Sequence, residues 1–412
     1  MNSYLRLDEC CQIELSSIDK KNKPNEKSVK LCNFTDVYYN WNIYSSMIDG
    51  FMEATASDKN ISSFLLKKGD VVVTKDSETR DDIGMAALVY EDLPTTVLGY
   101  HCALIRPKKN IDGAYLNAYL NSYLGRKHFR NQASGSGQRY TLTKESLGSI
   151  KIPVIPMTEQ KKIGAFFSDI DKKIQNNIQT TTNLESLAKT IYDYWFLQFE
   201  FPNEDGKPYK SSGGKMVWND ELKREIPEGW KVEPLFQCMD VTYGYPLSTN
   251  FFNQEEGTPV IRIRDILDNS TSAYTTEKIP DKYISESKDL LVGMDGNFHM
   301  NYCCEDGQYI NQRIVRIREK DNISTMQVCF EIAPYIKKKE QNVARSTVGH
   351  LSDKDLKSIY ILNSNNIHIY KVFNGFLEKI CTARKENKKL TALRDFLLPM
   401  LMNGQVTFKE DE

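Results

Sequence analysis

The chain repeats itself. Sliding the sequence along itself brings Leu7-Asp8-Glu9-Cys10 near Leu235-Phe236-Gln237-Cys238 at an offset of 228 residues. Val29-Lys30-Leu31-Cys32-Asn33-Phe34-Thr35-Asp36 resembles Val260-Ile261-Arg262-Ile263-Arg264-Asp265, with Asp36 falling on Asp265 at 229. Leu142-Thr143-Lys144-Glu145-Ser146-Leu147 answers Leu351-Ser352-Asp353-Lys354-Asp355-Leu356 at 209, and Phe167 to Trp195 matches Phe373 to Leu401 at 206. Four anchors in one order with a slowly drifting offset are what two copies of one structural unit with unequal loops produce. A chain of 412 residues built this way divides into two units and not one large core. Leu7 to Leu147 spans 140 residues, Leu235 to Leu356 only 121. The frame is shared and the interior differs, as expected of a scaffold that presents two different surfaces. A duplication without functional divergence is the plainer alternative.

Both copies end in a helical pattern of unusual regularity. Ile163, Phe167, Ile170, Ile174, Asn177, Thr181, Leu184, Ala188, Ile191 and Trp195 alternate steps of four and three, a heptad seam sustained over more than four heptads. It follows Pro153 and Pro156, with Thr158 as the expected cap and Glu159 where a helix start favours negative charge. The second seam reads Ile369, Phe373, Phe376, Ile380, Ala383, Asn387, Leu390, Arg394, Leu397 and Leu401, and stops near Asn403-Gly404. Each seam needs a partner, and the other copy is the obvious one; the long chain between them permits parallel or antiparallel pairing. Asn177, Thr181 and Asn387 supply polar layers that fix register. The 33 residues from Ile163 to Trp195 would span about 50 Å at ~1.5 Å per residue, on the order of 14 base pairs of duplex. From periodicity alone, a simple dimer or bundle explains the helices equally well.

Composition narrows the function less than the repeat does. No apolar run is long enough to cross a bilayer, and the first residues lack a signal pattern, so no membrane partner and a cytoplasmic location are expected. Nine cysteines without CxxC spacing are expected to be free thiols. A net charge of −1 counts mildly against nucleic-acid binding, although a local basic patch matters more than the sum.

Several segments resemble a known family. Ile152-Pro153-Val154-Ile155-Pro156-Met157-Thr158-Glu159-Gln160-Lys161-Lys162-Ile163 looks like the stretch joining a target-recognition domain to its helix in Type I restriction–modification specificity subunits. Tyr194-Trp195-Phe196-Leu197-Gln198-Phe199-Glu200-Phe201-Pro202-Asn203, then Gly206-Lys207-Pro208-Tyr209, is similar to the family's central linker. Glu225-Ile226-Pro227-Glu228-Gly229-Trp230 resembles the approach to its second recognition domain, and Leu393-Arg394-Asp395-Phe396-Leu397-Leu398-Pro399-Met400-Leu401 its ending. The second junction departs from the pattern: Asn363-Ser364-Asn365-Asn366 replaces Pro-x-x-Glu-Gln, which suggests a looser join. The N-terminal copy also has no tryptophan matching Trp230.

The resemblance implies an α+β protein with a pseudo-twofold internal repeat: two mixed α/β recognition domains separated by two long antiparallel coiled-coil helices. The expected boundaries are 1–157 for the first recognition domain, 158–200 for the first helix, 201–229 for the linker, 230–366 for the second domain and 367–408 for the second helix. It further implies a non-catalytic subunit that reads a bipartite, asymmetric target in double-stranded DNA. The implied partners are two modification (methyltransferase) subunits and restriction subunits. S-adenosylmethionine, ATP and Mg are expected in those partners, with no cofactor or metal on this chain. A silent copy that serves only as a protein-binding scaffold is the alternative.

The residues themselves carry no catalytic motif. There is no Asn/Asp-Pro-Pro-aromatic sequence, Gly135-Ser136-Gly137 is not followed by a phosphate-loop lysine, and the five histidines lack metal-ligand spacing. Asp70, Lys75 and Glu78 can be drawn as a nuclease cluster, but Gly69-Asp70-Val71-Val72-Val73 reads as a turn and a buried strand. For DNA contact, the densest stretch of the first copy holds Arg126, Lys127, Arg130, Gln138 and Arg139, and its counterpart holds Lys337 to Lys339, Arg345 and His350. These are expected to position phosphates, while base readers should lie where the copies differ. Thr74, Lys75, Ser77 and Arg80 are the candidates in the first copy, and Tyr243, Tyr245, Asn297, His299 and Asn301 in the second.

Overall fold

The computed structural model describes residues 3–320, 322–343 and 349–408. The chain forms two compact units, one built from residues up to Gln175 and from Lys389 onward, the other from Asn176–Lys388. The division falls inside both long helices, Met157–Tyr192 and Ile367–Met402, so each unit contains part of both.

In the first unit a five-stranded sheet runs in the order Cys11–Leu15, Cys102–Pro107, Val71–Thr74, Ala86–Val89, Asn42–Ile43. Val71–Thr74 and Ala86–Val89 are buried along their whole length because both sheet faces are covered. One face meets Leu116, Phe129 and Phe167. The other meets Leu31, Val97 and Leu98, carried by the smaller sheet of Met52–Ala56, Lys27–Cys32 and Thr96–Leu98.

The second unit rebuilds the middle of this design. Leu290–Gly293 and Ile314–Arg318 stand at the centre of a four-stranded sheet, flanked by Met300–Tyr302 and Asp240–Tyr243. A second sheet of four short strands and the helix Thr325–Val343 complete it.

The sequence anchors occupy matching places. Leu7 N–H donates to the Ile150 carbonyl at 2.9 Å, and Leu235 N–H donates to Ile359 at 2.9 Å. Thr143 and Ser352 cap the short helices Lys144–Gly148 and Asp353–Lys357. The carboxylates of Asp36 and Asp265 accept the backbone N–H of Asn33 and Arg262, at 2.7 and 2.9 Å. A recurrence invisible to the self-comparison is a two-pronged ion pair at the head of the central strand. Arg106 grips Asp70 with two bonds of 2.8 Å and also holds the Leu65 carbonyl. Arg318 grips Asp289 at 2.8 and 2.9 Å and holds the Ile284 carbonyl. Asp70 is therefore half of a structural clip and not part of a nuclease cluster.

The helix pairing is antiparallel within each unit. In the second, Asn177 Nδ2 donates to Asn387 Oδ1 at 2.8 Å, Arg384 meets Glu185 at 2.8 Å, and the Trp195 ring stands 6.1 Å from Phe373. The polar layers of the two seams thus meet each other. In the first, Ile163 and Phe167 share a core with Leu398 and Leu401, and Leu397 packs against it. Ile170 and Ile174 are buried, Leu184 and Leu390 half-buried. Two seam positions slip by one residue. Leu377 is wholly buried while Phe376 is half-buried, and Tyr192 and Phe196 go deeper than Ile191. At the latter site the helix widens into a π-turn over Asp193–Leu197, which rotates the buried face.

Both helix starts correct the expectation. The first begins at Met157, so Thr158 lies inside its first turn and not at the cap. Gln160 locks this end instead, donating to the Ile155 carbonyl at 2.9 Å and accepting from Asp112 N–H at 2.9 Å. At the second start Asn366 Oδ1 accepts from His368 N–H at 2.9 Å, and Asn363 Oδ1 from Asn365 N–H at 2.8 Å. The asparagine run is a cap, so the junction is tied, not loose.

Candidate nucleic-acid interface

At the far end of the central strand from its arginine clip, the first unit gathers a polar cluster around Asp76. Thr141 Oγ1 donates to Asp76 Oδ1 at 2.7 Å. Around Oδ2 stand Lys75 Nζ at 3.2 Å, His101 Nδ1 at 2.9 Å and Arg139 Nη2 at 3.4 Å. Burial alone would push the Asp76 carboxyl up, but hydrogen bonds from His101 and Thr141 and the charge of Lys75 outweigh it and hold it below the ordinary value. His101 Nδ1 also lies 3.0 Å from Arg139 Nη2. An ionised Asp76 has no proton to give, so Nδ1 either donates to Asp76 or accepts from Arg139.

The second unit places Asp295 in the same position. Lys75 N–H donates to the His101 carbonyl at 2.9 Å and Leu142 N–H to Lys75 at 2.8 Å. Met294 N–H donates to Arg313 at 2.9 Å and Leu351 N–H to Met294 at 2.8 Å. Met294 thus stands for Lys75, Arg313 for His101 and His350 for Thr141. Asp295 is met by His350 Nδ1 at 2.7 Å and Arg313 Nε at 3.3 Å. The backbone frame is the same and almost every side chain is different.

Each aspartate opens a loop that also differs. Residues 77–83 follow Asp76, and Gly84 closes the loop with a φ of 78° and no room for a Cβ beside the Phe129 ring. Arg80 projects from this loop over the Tyr140 ring, 5.0 Å from its centre. After Asp295 the chain returns within a few residues, with Gly293 N–H donating to the His299 carbonyl at 2.8 Å. Asn297 is exposed and His299 half-buried on this shorter loop.

The other candidates divide by what already holds them. Lys127, Arg130, Gln138 and Arg139 are exposed, and Arg130 faces Asp81 at 3.0 Å across open surface. Three of the first-unit candidates are framework. Thr74 is wholly buried, with its hydroxyl accepting from Met85 N–H at 3.0 Å. Lys75 is buried between Asp76 and the Tyr100 ring, 4.4 Å away. Arg126 is turned inward to the carbonyls of Ile83 and Asp81 at 2.7 and 2.5 Å, and burial lowers its pKa. Ser77 is half-buried in the short sheet beside Tyr140.

In the second unit Tyr243 donates to Asp353 at 2.6 Å, and Tyr245 packs on Tyr283 with ring centres 5.1 Å apart. Asn301 is a bolt, donating to the Ile266 and Leu267 carbonyls and accepting from Arg384. Lys339 is tied to Asp355 at 2.8 Å. Arg345 lies outside the described residues. Sequence reasoning missed Asp76, His101, Asp295 and Arg313. Among the described residues no group of three His, Cys, Asp or Glu side chains could hold a metal ion, and no helix is long and apolar enough to cross a membrane.

A frame repeated twice, with a variable polar cluster at the same end of each copy, defines a two-headed recognition protein. Over residues 4–186 and 227–362 the chain matches the Type I restriction modification DNA specificity domain, and it belongs to that family. The MjaIX specificity subunit of Methanocaldococcus jannaschii is 24% identical over 367 residues, 85% of this chain and 81% of that one. The EcoBI specificity subunit of Escherichia coli is 32% identical over 134 residues, which cover 32% of this chain and only 28% of that protein. The crystal structure of the Type I restriction–modification S subunit from M. genitalium has the same fold, with a TM-score of 0.60 at 13% identity over 97% of this chain and 95% of that one.

Proposed function

We propose that this chain reads a bipartite, asymmetric target in double-stranded DNA and presents it to two modification subunits and to restriction subunits. Methyl transfer from S-adenosylmethionine and ATP-driven, Mg-dependent cleavage are assigned to those partners. One observation supports this above the others: Asp76 and Asp295 occupy the same backbone position, yet their neighbours are Lys75, His101 and Thr141 in one unit and Met294, Arg313 and His350 in the other. A duplicated scaffold with no reading role has no reason to keep a polar cluster topped by an exposed arginine in place while replacing its chemistry. The partner assignment rests on family membership.

Binding to a randomised duplex library, measured together with a modification subunit, tests the reading. Enrichment of two unlike short motifs at a fixed gap is expected. Loss of all sequence preference, with partner binding retained, would leave a scaffold and defeat the proposal.

A further inference from the structure

Among the described residues, two exposed arginines lean on the aspartates that follow the central strands. Arg139 is 59% exposed and leans on Asp76, whose own side chain is only 10% exposed. Arg313 is 55% exposed and leans on Asp295, 29% exposed. By contrast, Arg130 and its partner Asp81 are 61% and 72% exposed, an ordinary surface pair worth little. Each aspartate is fixed on the opposite side from its arginine: Asp76 by Thr141, Asp295 by His350.

Asp76 meets Arg139 at Nη2 alone and Asp295 meets Arg313 at Nε alone, so each guanidinium is restrained at one nitrogen and keeps further N–H donors. Holding the side chain before DNA arrives reduces the rotamer entropy lost on contact. The remaining donors, Nη1–H and the second Nη2–H, can present a parallel pair, which matches the O6 and N7 acceptors that guanine alone presents together in the major groove. A phosphate contact needs no such backing, since a mobile lysine or arginine serves as well.

We infer that Arg139 and Arg313 are the guanine-reading side chains of the two heads, each oriented by the aspartate at the end of the same strand. The inference rests on the DNA-reading function proposed above and replaces the expectation that Arg139 only positions phosphate. The arginines reach their aspartates from different places in the frame. Arg139 comes from the segment before Leu142, whereas Arg313 occupies the site of His101. The two guanines therefore occupy different positions within their half-sites, which is a source of the target's asymmetry. Asp76 and Asp295 are positioning residues.

The test is the methylation profile of the full complex, this chain with its modification subunits, on a randomised duplex library at two salt concentrations. Arg139→Ala is expected to lower the preference for guanine at one position of one half-site by roughly tenfold or more, leaving the other half-site and the salt dependence largely unchanged. Arg313→Ala is expected to do the same in the other half-site. Asp76→Asn should relax the same position as Arg139→Ala, and the double variant should relax it no further. Both arginines are more than half exposed, so their removal leaves the core intact. A uniform loss of binding with a flattened salt dependence would make them phosphate contacts and overturn the inference, as would an unchanged profile. A wild-type complex with no sequence preference would instead defeat the reading on which the inference rests.

Discussion

Around Asp76 the first unit collects lysine, histidine, arginine and threonine, whereas around Asp295 the second has arginine, histidine and a methionine in the lysine's place. At the other end of the same strand the units are alike: Asp70 with Arg106 and Asp289 with Arg318 make the same two-pronged pair and hold the same kind of carbonyl. One end of the central sheet holds the fold, and the other end varies. A third comparison lies between them. Leu104 is buried against the smaller sheet of the first unit, and Arg316 fills the matching register in the second, donating to Asp240 at 2.6 Å and Thr242 at 2.8 Å. The first unit has one continuous core on that face, whereas the second has two small ones. The layer outside the central sheet has thus diverged further than the layer against the helices.

The largest effects are expected in the shared frame. Phe167 and Phe373 are both wholly buried where a long helix meets a sheet core. Phe167→Ala and Phe373→Ala should each cost about 3–5 kcal/mol in denaturant unfolding, by similar amounts. Costs that differ greatly would show that the frame is not equivalent. Next come the clips: Asp70→Ala takes the carboxylate from a partly exposed Arg106 and should cost about 2–4 kcal/mol, and Asp289→Ala somewhat less, because Arg318 keeps Glu286 at 2.5 Å. A loss below measurement in one unit alone would separate the two strand heads.

A smaller effect sharpens a difference. Asp171 is buried where the second helix has Leu377, and it accepts from Tyr44 OH at 3.0 Å. Burial pushes its pKa up to about 6, although Tyr44 and Arg394 pull the other way. A folded value above the unfolded one means that this contribution is fully present below about pH 4 and is lost as pH rises through 6. Asp171→Asn should therefore exceed the wild type in stability by about 1–3 kcal/mol at pH 7, with the gap closing near pH 4. A gap independent of pH would contradict the assignment. Smallest of all, Arg316→Leu should be neutral or stabilising by about 1 kcal/mol, because Nε and Nη1 find no partner and Asp240 is half exposed. A large loss would make Arg316 as structural as Arg318.

Much of the frame was legible because it rests on periodicity. The heptad seams and the buried Val71–Val73 run both depend on local spacing, whereas the cap expected at Thr158 lies one residue inside the helix. The slips at Leu377 and at Tyr192 were not legible, since a π-turn resets the helical phase without a marker in the sequence. The site was harder to read. Choosing basic and amide residues as DNA contacts overlooked Asp76 and Asp295, and Thr74 and Lys75 looked accessible because a strand's last residues carry no sign of burial. One signal was present. Asp70 and Asp76 enclose an apolar strand, and Asp289 and Asp295 do so at the same spacing of six residues. Their offset of 219 lies between those of the flanking anchors, where unequal loops hide it from self-comparison. His101 and Arg313 match only in space, because different side chains occupy one backbone position.

Two unlike heads should read two unlike half-sites. Long-read sequencing of host DNA, with and without this gene, tests this most directly. A methylated motif of two short, non-identical parts at a fixed gap, present only with the gene, is expected. A palindromic motif would contradict the asymmetry, and an unchanged methylation pattern would contradict the reading itself.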